Sequence, residues 1–320
     1  MPEASLRMFV KSITFEADRI NSYVLHPVGG EVLPAFTAGA HIDLHLHEGT
    51  IRSYSLINDQ SERHRYVIAV KREEAGRGGS AYVHERLKVG DVLTISTPRN
   101  NFAFDEANHH SVFVAGGIGV TPIVSMVRRA VALGRSWTIH YASRRRRDAA
   151  FLADIETLAR ASGGKVHAVF DQEAGGGALD IPAIVSTAPG DARLYCCGPL
   201  PMLDAFKETA KCRPPGTVHV EYFSPKEEAA TAGGFEVHLQ KSGRTIAVSP
   251  GQTILNALLD AGVDVAYACS EGTCGTCETR VIQGIPDHRD VYLTDEEHAG
   301  NKQIMICCSG AKTPALVLDL

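Results

Sequence analysis

The 320-residue sequence has no apolar run approaching the roughly 18 residues that a membrane-spanning helix needs. Its opening, MPEASLRMFVKSITFEADRI, lacks the apolar core of a secretory leader, so a cytoplasmic protein with reduced thiols is expected. No surplus of positive charge is present: 32 Lys and Arg stand against 37 Asp and Glu, which argues against a nucleic-acid partner. Internal repeats and long low-complexity tracts are missing too, which excludes a solenoid. What remains is an ordinary globular composition, 44% hydrophobic and 22% charged. The length suits two or three domains at about 150 residues each.

The acidic excess is local. From Phe235 to Leu320 there are 11 Asp and Glu against 6 Lys and Arg, whereas residues 1–234 carry 26 of each. The stretch PKEEAATAGG, Pro225 to Gly234, is small, polar and aperiodic and reads as a linker. A softer break falls at DEANHH, Asp105 to His110. Before it, short alternating segments such as HIDLHLHE, IRSYSLI and RYVIAVKRE predict a small antiparallel barrel. After it, SVFVAGG, PIVSMVRRAVALG, SWTIHYAS, FLADIETLARAS and KVHAVF alternate strand and helix, which predicts a parallel sheet with crossover helices. Beyond the linker, FEVHLQKSG and RTIAVSP read as a hairpin and TILNALLDAG as a helix.

That helix leads into YACSEGTCGTCETR, which places Cys269, Cys274 and Cys277 within nine residues. Clustered thiols in a reducing compartment more often bind metal than form disulfides. Structural zinc usually pairs two C-x2–4-C knuckles at short range. Here a C-x4-C-x2-C run is followed by Cys307, with 29 residues between it and Cys277, and the first part is the spacing of plant-type 2Fe–2S ligation. Zinc is the standing alternative. Gly272 and Gly275 suit a loop whose amides turn inward, and a later strand is expected to deliver Cys307. Adjacent strand residues point to opposite faces, so Cys308 is expected to be a small buried hydrophobe.

With the tail IMICCSGAKTPALVLDL, this loop resembles the C-terminal ferredoxin domain of the phthalate dioxygenase reductase family, the FMN and iron–sulfur reductases that feed Rieske-type oxygenases such as vanillate demethylases. The resemblance implies motifs elsewhere, and both are present. Arg52-Ser53-Tyr54-Ser55 is similar to the R-x-Y-S signature of the ferredoxin-reductase superfamily. Arg52 can neutralise a flavin phosphate, Tyr54 can pack on the isoalloxazine, and Ser55 can bond the ring near N5. Val70 or Lys71 can supply backbone contacts to its pyrimidine edge. In GRGGSAYVHERL, Gly78, Gly79 and Ser80 open a helix whose free amides suit a phosphate. Read without the resemblance, these are a surface arginine, a barrel tyrosine and a Gly-rich loop capped by Ser80.

For the nucleotide, VFVAGGIGVTPIVSM lacks the G-x-G-x-x-G fingerprint. Gly116, Gly117 and Gly119 would still let a pyrophosphate approach a helix start, with Thr121 as the cap and Pro122 in the first turn. Cys197-Gly198-Pro199 resembles the family's C-G-P motif, in which the cysteine lies beside the nicotinamide. Glu221 and Phe223 match its terminal strand, where the aromatic residue shields the flavin face. Arg144 to Arg147, at a strand end, stand where an adenosine ribose would lie; such runs are also commonly just solvated. The family implies NADH, with NADPH possible, and FMN in preference to FAD.

The expected fold is thus α+β and multidomain: a flavin-binding antiparallel β-barrel at 1–106, an α/β parallel-sheet nucleotide domain at 107–226, a linker at 227–234, and a plant-type ferredoxin (β-grasp) domain at 235–320. The resemblance implies a monomeric electron transformer running from NADH to FMN, to a 2Fe–2S centre, to a terminal Rieske-type oxygenase. Ser55, Cys197 and Phe223 would line the hydride-transfer site, and Ser270, Thr273 and Thr276 would tune the cluster by hydrogen bonds. Gly310 departs from the larger residue that often stands there. Rival readings are a reductase for a cytochrome mono-oxygenase, a stand-alone flavohaem-like or quinone reductase, and a non-enzymatic metal-binding scaffold.

Overall fold

The computed structural model describes residues 5–74 and 76–320; the first residues of the polar N-terminus and Ala75 lie outside the described residues. The described chain divides into two compact units, one ending at Glu221 and the other beginning at Tyr222.

The first unit opens with a barrel. Strands β1 (Ser5–Ala17), β2 (Ile20–Pro27), β3 (His41–His45), β4 (Ile51–Ser55) and β5 (Tyr66–Lys71) are followed by helix α1 (Gly79–Glu85) and strand β6 (Val92–Ser96). The sheet order is β4-β3-β6-β1-β2-β5. Its two ends meet where Leu56 bridges Ile68 and the Ile57 amide donates to the Val67 carbonyl at 2.9 Å. Bulges in β1 bend that long strand around the barrel. Alternation then sorts the side chains. In β5, Tyr66, Ile68 and Val70 fill the barrel while Val67 and Ala69 face a second core.

That second core belongs to the parallel sheet. It is built from β7 (His110–Gly116), α2 (Val120–Ala132), β8 (Ser136–Ser143), α3 (Leu152–Ser162), β9 (Lys165–Phe170), α4 (Ile181–Thr187), β10 (Arg193–Cys197), α5 (Leu200–Ala210) and β11 (Val218–Glu221). The strands run in the order β11-β10-β7-β8-β9. Val112 to Ala115 of β7 are all buried, as a central parallel strand covered on both faces requires. Helix α4 was not foreseen; it starts at Asp180, whose side chain accepts the Ala183 amide at 2.9 Å. Barrel and sheet share apolar packing through Phe102 and Phe104, which stand against Tyr195. Gly39 presses so close that an added Cβ would meet the Phe102 carbonyl oxygen at 2.0 Å.

The second unit holds β12 (Phe235–Leu239), β13 (Thr245–Val248), α6 (Ile254–Asp260), β14 (Glu278–Gln283), β15 (Pro286–Asp287), α7 (Asp295–Gly300), β16 (Gln303–Met305), β17 (Gly310–Ala311) and β18 (Ala315–Leu318). Its mixed sheet runs β13-β12-β18-β14-β16, with β12 and β18 parallel, and β15 pairs with β17. The expected hairpin is β12–β13. The expected linker 227–234 carries no helix or strand and is fastened to this unit. The Ala230 amide donates to the Cys308 carbonyl at 2.7 Å, and Glu227 pairs with Arg289 at 2.8 Å. Gly310 is explained by the same contact, since a Cβ there would lie 2.9 Å from that of Ala230. Among the described residues no helix is long and apolar enough to cross a membrane.

Candidate functional site

The two flavin motifs, 25 residues apart in sequence, meet in space. Arg52 on β4 lies against the start of α1, where a Cβ on Gly79 would sit 2.6 Å from the Arg52 Nε. Its Nη1 donates to the Ile51 carbonyl at 2.8 Å, which aims the guanidinium. Gly78, at φ +83°, is the residue before the helix and needs the freedom of glycine there. Ser80 is not the cap; its Oγ accepts the Glu73 amide at 3.1 Å and folds the loop back on itself. A guanidinium beside loop amides fits the phosphate of a flavin nucleotide.

Along β4 the hydroxyls divide. The Ser53 Oγ donates to Asp43 Oδ1 at 2.6 Å, and Asp43 also pairs with Arg99, so Ser53 is spent on strand pairing and not offered to a ligand. Tyr54 packs against the barrel interior, and burial raises its phenol pKa. Ser55 is buried, and its Oγ has no hydrogen-bond partner. A buried orphan hydroxyl is costly unless a ligand completes it, and a polar ring edge would do so.

The nucleotide crevice lies where the sheet reverses direction. The chain leaves β7 for β8 and β9 on one side and returns to β10 on the other, so the carboxyl ends of β7 and β10 mark the switch point at which α/β sheets bind ligands. Gly116 ends β7 and Cys197 ends β10. The two Gly motifs interlock there. A Cβ on Gly116 would meet the Pro199 Cδ at 2.5 Å, one on Gly119 the Cys197 carbonyl oxygen at 2.2 Å, and one on Gly198 the Met202 Sδ at 2.8 Å. Gly117, at φ +53°, has open space where its side chain would be, which leaves room for a phosphate.

Two placements here correct the sequence reading. Thr121 does not cap α2, because a single 3-10 turn over Gly117–Gly119 runs directly into the helix and makes Gly119 the cap residue. The Thr121 hydroxyl instead donates to the Ile118 carbonyl at 2.9 Å, and Thr121 and Pro122 are buried inside the first turn. Phe223 is not on the terminal strand: β11 stops at Glu221, and Phe223 belongs to the second unit and is 38% exposed. The expected strand β8 does end at Ser143. Arg144 to Arg147 follow, with the Arg146 guanidinium 4.9 Å over the Phe170 ring and Arg144 exposed.

Cys197 is fully buried, and burial together with Glu221 raises its thiol pKa well above the usual range, which excludes a thiolate nucleophile. Glu221, its register partner on β11, is a residue whose environment the sequence did not disclose. Desolvation pushes its carboxyl up to about 8, and its Oε2 is shut from solvent without a partner.

In the second unit the cysteine loop between α6 and β14 turns inward through Ser270, Gly272 and Gly275, at φ +56°, +72° and +77°. Side chains seal the two glycines: a Cβ at Gly272 would meet Cys308 Sγ at 2.5 Å, and one at Gly275 would enter the Tyr292 ring. All four predicted ligands are buried free thiols and they converge. Cys269 touches Cys274 and Cys307, contacts that drive its pKa down, and Cys307 also reaches Cys277. The Glu271 amide points at Cys269 Sγ at 3.4 Å, and Thr276 Oγ1 lies 3.2 Å from Cys274 Sγ. Thr273 bonds Cys269, while Ser270 contributes its turn. Cys307 does not sit on a strand, because β16 ends at Met305 and the Cys308 and Ser309 amides both return to the Met305 carbonyl. This tight turn, rather than strand alternation, places Cys307 and Cys308, whose thiols remain in contact. Four converging thiols under inward amides fit a 2Fe–2S cluster.

Comparison with known proteins agrees with this geometry. The chain matches an oxidoreductase FAD-binding domain over residues 30–104, an oxidoreductase NAD-binding domain over 113–208 and a 2Fe-2S iron-sulfur cluster binding domain over 237–312. It is therefore an oxidoreductase with flavin-, NAD- and 2Fe–2S-binding domains. It is 50% identical over 320 residues to phenoxybenzoate dioxygenase subunit beta of Ectopseudomonas oleovorans, covering 100% of this chain and 98% of that one. To tetrachlorobenzoquinone reductase of Sphingobium chlorophenolicum it is 46% identical over 325 residues, covering 100% and 99%. The solved phthalate dioxygenase reductase superimposes with a TM-score of 0.77 at 38% identity, covering 99% and 98%. The chain belongs to the phthalate dioxygenase reductase family.

Proposed function

We propose that this protein is the reductase component of a Rieske-type oxygenase or demethylase, drawing electrons from NADH, holding FMN, and working as a cytoplasmic monomer. The observation that carries the reading is the cage of Cys269, Cys274, Cys277 and Cys307 in a chain that also has a flavin and nucleotide crevice. When bound, the flavin takes a hydride from the nicotinamide and the cluster passes electrons on singly. The chain's own residues arrange the meeting. Arg52 holds the flavin phosphate, Ser55 presents its hydroxyl to the ring, and Gly116, Gly117 and Gly119 admit the dinucleotide backbone. Cys197 and Glu221, both kept neutral, give the nicotinamide an uncharged floor.

FMN is preferred because Arg52 and the Gly78–Gly79 loop make one phosphate cradle, the complement of a mononucleotide. Flavin released by denaturation and weighed by mass spectrometry is expected to be FMN, and FAD would contradict this. The Arg144–Arg147 run serves adenine stacking in this reading, so kcat/KM is expected to favour NADH over NADPH. The net charge of −5 over residues 235–320 suits a basic docking surface on the oxygenase, and rising salt is expected to slow its reduction.

A second reading is favoured by the relative named tetrachlorobenzoquinone reductase: direct reduction of a quinone at the flavin. Quinone turnover that survives Cys307→Ser would support it. Loss of all acceptor turnover except that of free flavin chemistry would favour electron export through the cysteine cage.

A further inference from the structure

The segment 286–293 spans the cysteine cage on its outer side. The Val291 amide donates to the Gly272 carbonyl at 3.1 Å, the Arg289 amide to Ser309 Oγ at 3.1 Å, and Asp287 pairs with Gly310. It therefore ties the loop with three cysteines to the turn with the fourth. Two of its side chains, His288 and Asp290, are joined by His298 from α7.

Asp290 has a wholly buried side chain. Its Oδ2 accepts the Tyr292 and Leu293 amides at 3.2 and 2.8 Å, which fixes the carboxylate and leaves Oδ1 facing the histidines. His298 Nε2 lies 3.2 Å from that Oδ1, and its ring stacks on that of His288 at 4.4 Å between centroids. These contacts account for His298 and Asp290 as ordinary structure. They do not account for His288. Its side chain is 9% exposed, its Nδ1 stands 3.8 Å from Asp290 Oδ1, and neither ring nitrogen has a hydrogen-bond partner. Against desolvation, the Nδ1 contact helps hold the Asp290 carboxyl below its usual range but is too long for a hydrogen bond, and a buried imidazole whose hydrogen-bonding capacity is unmet is costly.

We propose that His288, Asp290 and His298 form a second metal site, outside the cysteine cage, that takes one borderline divalent transition ion such as zinc. One donor atom from each of the three residues lies within 4.8 Å of the others. Neighbouring ligands on tetrahedral zinc are about 3.3 Å apart, close to the pairs at 3.2 and 3.8 Å, and the two stacked rings must turn apart for both lone pairs to meet one ion. Two imidazoles and one carboxylate are a zinc donor set, with water in the fourth position. The amides on Oδ2 are the outer partners that orient a ligating carboxylate. Bound there, the ion would clasp the strap to α7 and stiffen the cage behind it.

The test uses the full-length, cluster-loaded protein, freed of loosely bound divalent ions by a mild chelator and titrated with zinc chloride alone. Elemental analysis after gel filtration is expected to find one zinc per chain with cluster iron and visible absorption unchanged. His288→Ala and His298→Gln should each weaken zinc binding at least tenfold, whereas His238→Ala, an exposed histidine elsewhere, should not. If His288→Ala fails to fold, His298→Gln decides alone, since that side chain is partly exposed on a surface helix. Wild-type zinc affinity in His298→Gln, no stoichiometric zinc, or zinc gained only as iron is lost would each overturn the proposal.

Discussion

Cys197 and Glu221 are register partners on adjacent parallel strands, a buried thiol beside a carboxyl that keeps its proton at neutral pH. The folded pKa of Glu221, about 8, lies above its ordinary value of 4.5. Below 4.5 both folded and unfolded chains are protonated there. Between 4.5 and about 8 the unfolded chain releases the proton and the folded one retains it, so stability falls as pH rises and levels off above 8. The slope contributed is at most about 1.4 kcal/mol per pH unit. Thermal unfolding of the wild type should thus lose ground to Glu221→Gln from pH 5 to pH 8. Parallel pH profiles would show that the carboxyl ionises freely.

Ser55 Oγ makes no bond within the protein. Ser55→Ala should leave the unfolding midpoint of the flavin-free protein unchanged or slightly raised. Flavin reduction by NADH, followed by stopped flow, should slow about tenfold for the loss of one hydrogen bond worth about 1.4 kcal/mol. Equal rates would remove Ser55 from the site.

Gly119 has ordinary helical angles, so its need for glycine is purely one of contact with the Cys197 carbonyl. Gly119→Ala should cost about 1–3 kcal/mol through overpacking. It should also raise KM for NADH, because the crevice is built from the two motifs that the methyl would push apart. A KM and stability equal to wild type would contradict the interlock.

The turn after β16 brings both adjacent cysteines to the cage, and Cys307 is the one in contact with Cys269 and Cys277. Cys307→Ser should abolish the visible cluster absorption, whereas Cys308→Ala should retain it with reduced thermal stability, since Cys308 is buried against Gly272. The reverse pattern would reassign the fourth ligand.

Much of this was legible in the sequence because the signals are local. Strand–helix alternation from Ser111 onward, the C-x4-C-x2-C spacing and the Gly motifs each declare themselves within a dozen residues. Details that depend on tertiary neighbours were not. Whether Thr121 or Gly119 caps α2 depends on the glycines of Gly117–Gly119 folding as a 3-10 turn that runs on into the helix, which their presence alone does not reveal. That Cys307 sits on a turn follows from how Met305 ends a three-residue strand. Ser53 looked equivalent to its neighbours until its hydroxyl was seen to meet Asp43, 10 residues away. The desolvation of the Glu221 carboxyl and the gathering of His288, Asp290 and His298 need strands and a helix brought together, which no short pattern encodes.

The most direct test is metal analysis of freshly isolated protein combined with electron paramagnetic resonance after dithionite reduction. The account predicts two irons and two acid-labile sulfides per chain and a paramagnetic signal that disappears in Cys307→Ser. Zinc in place of that iron, or a reduced sample with no signal, would contradict it.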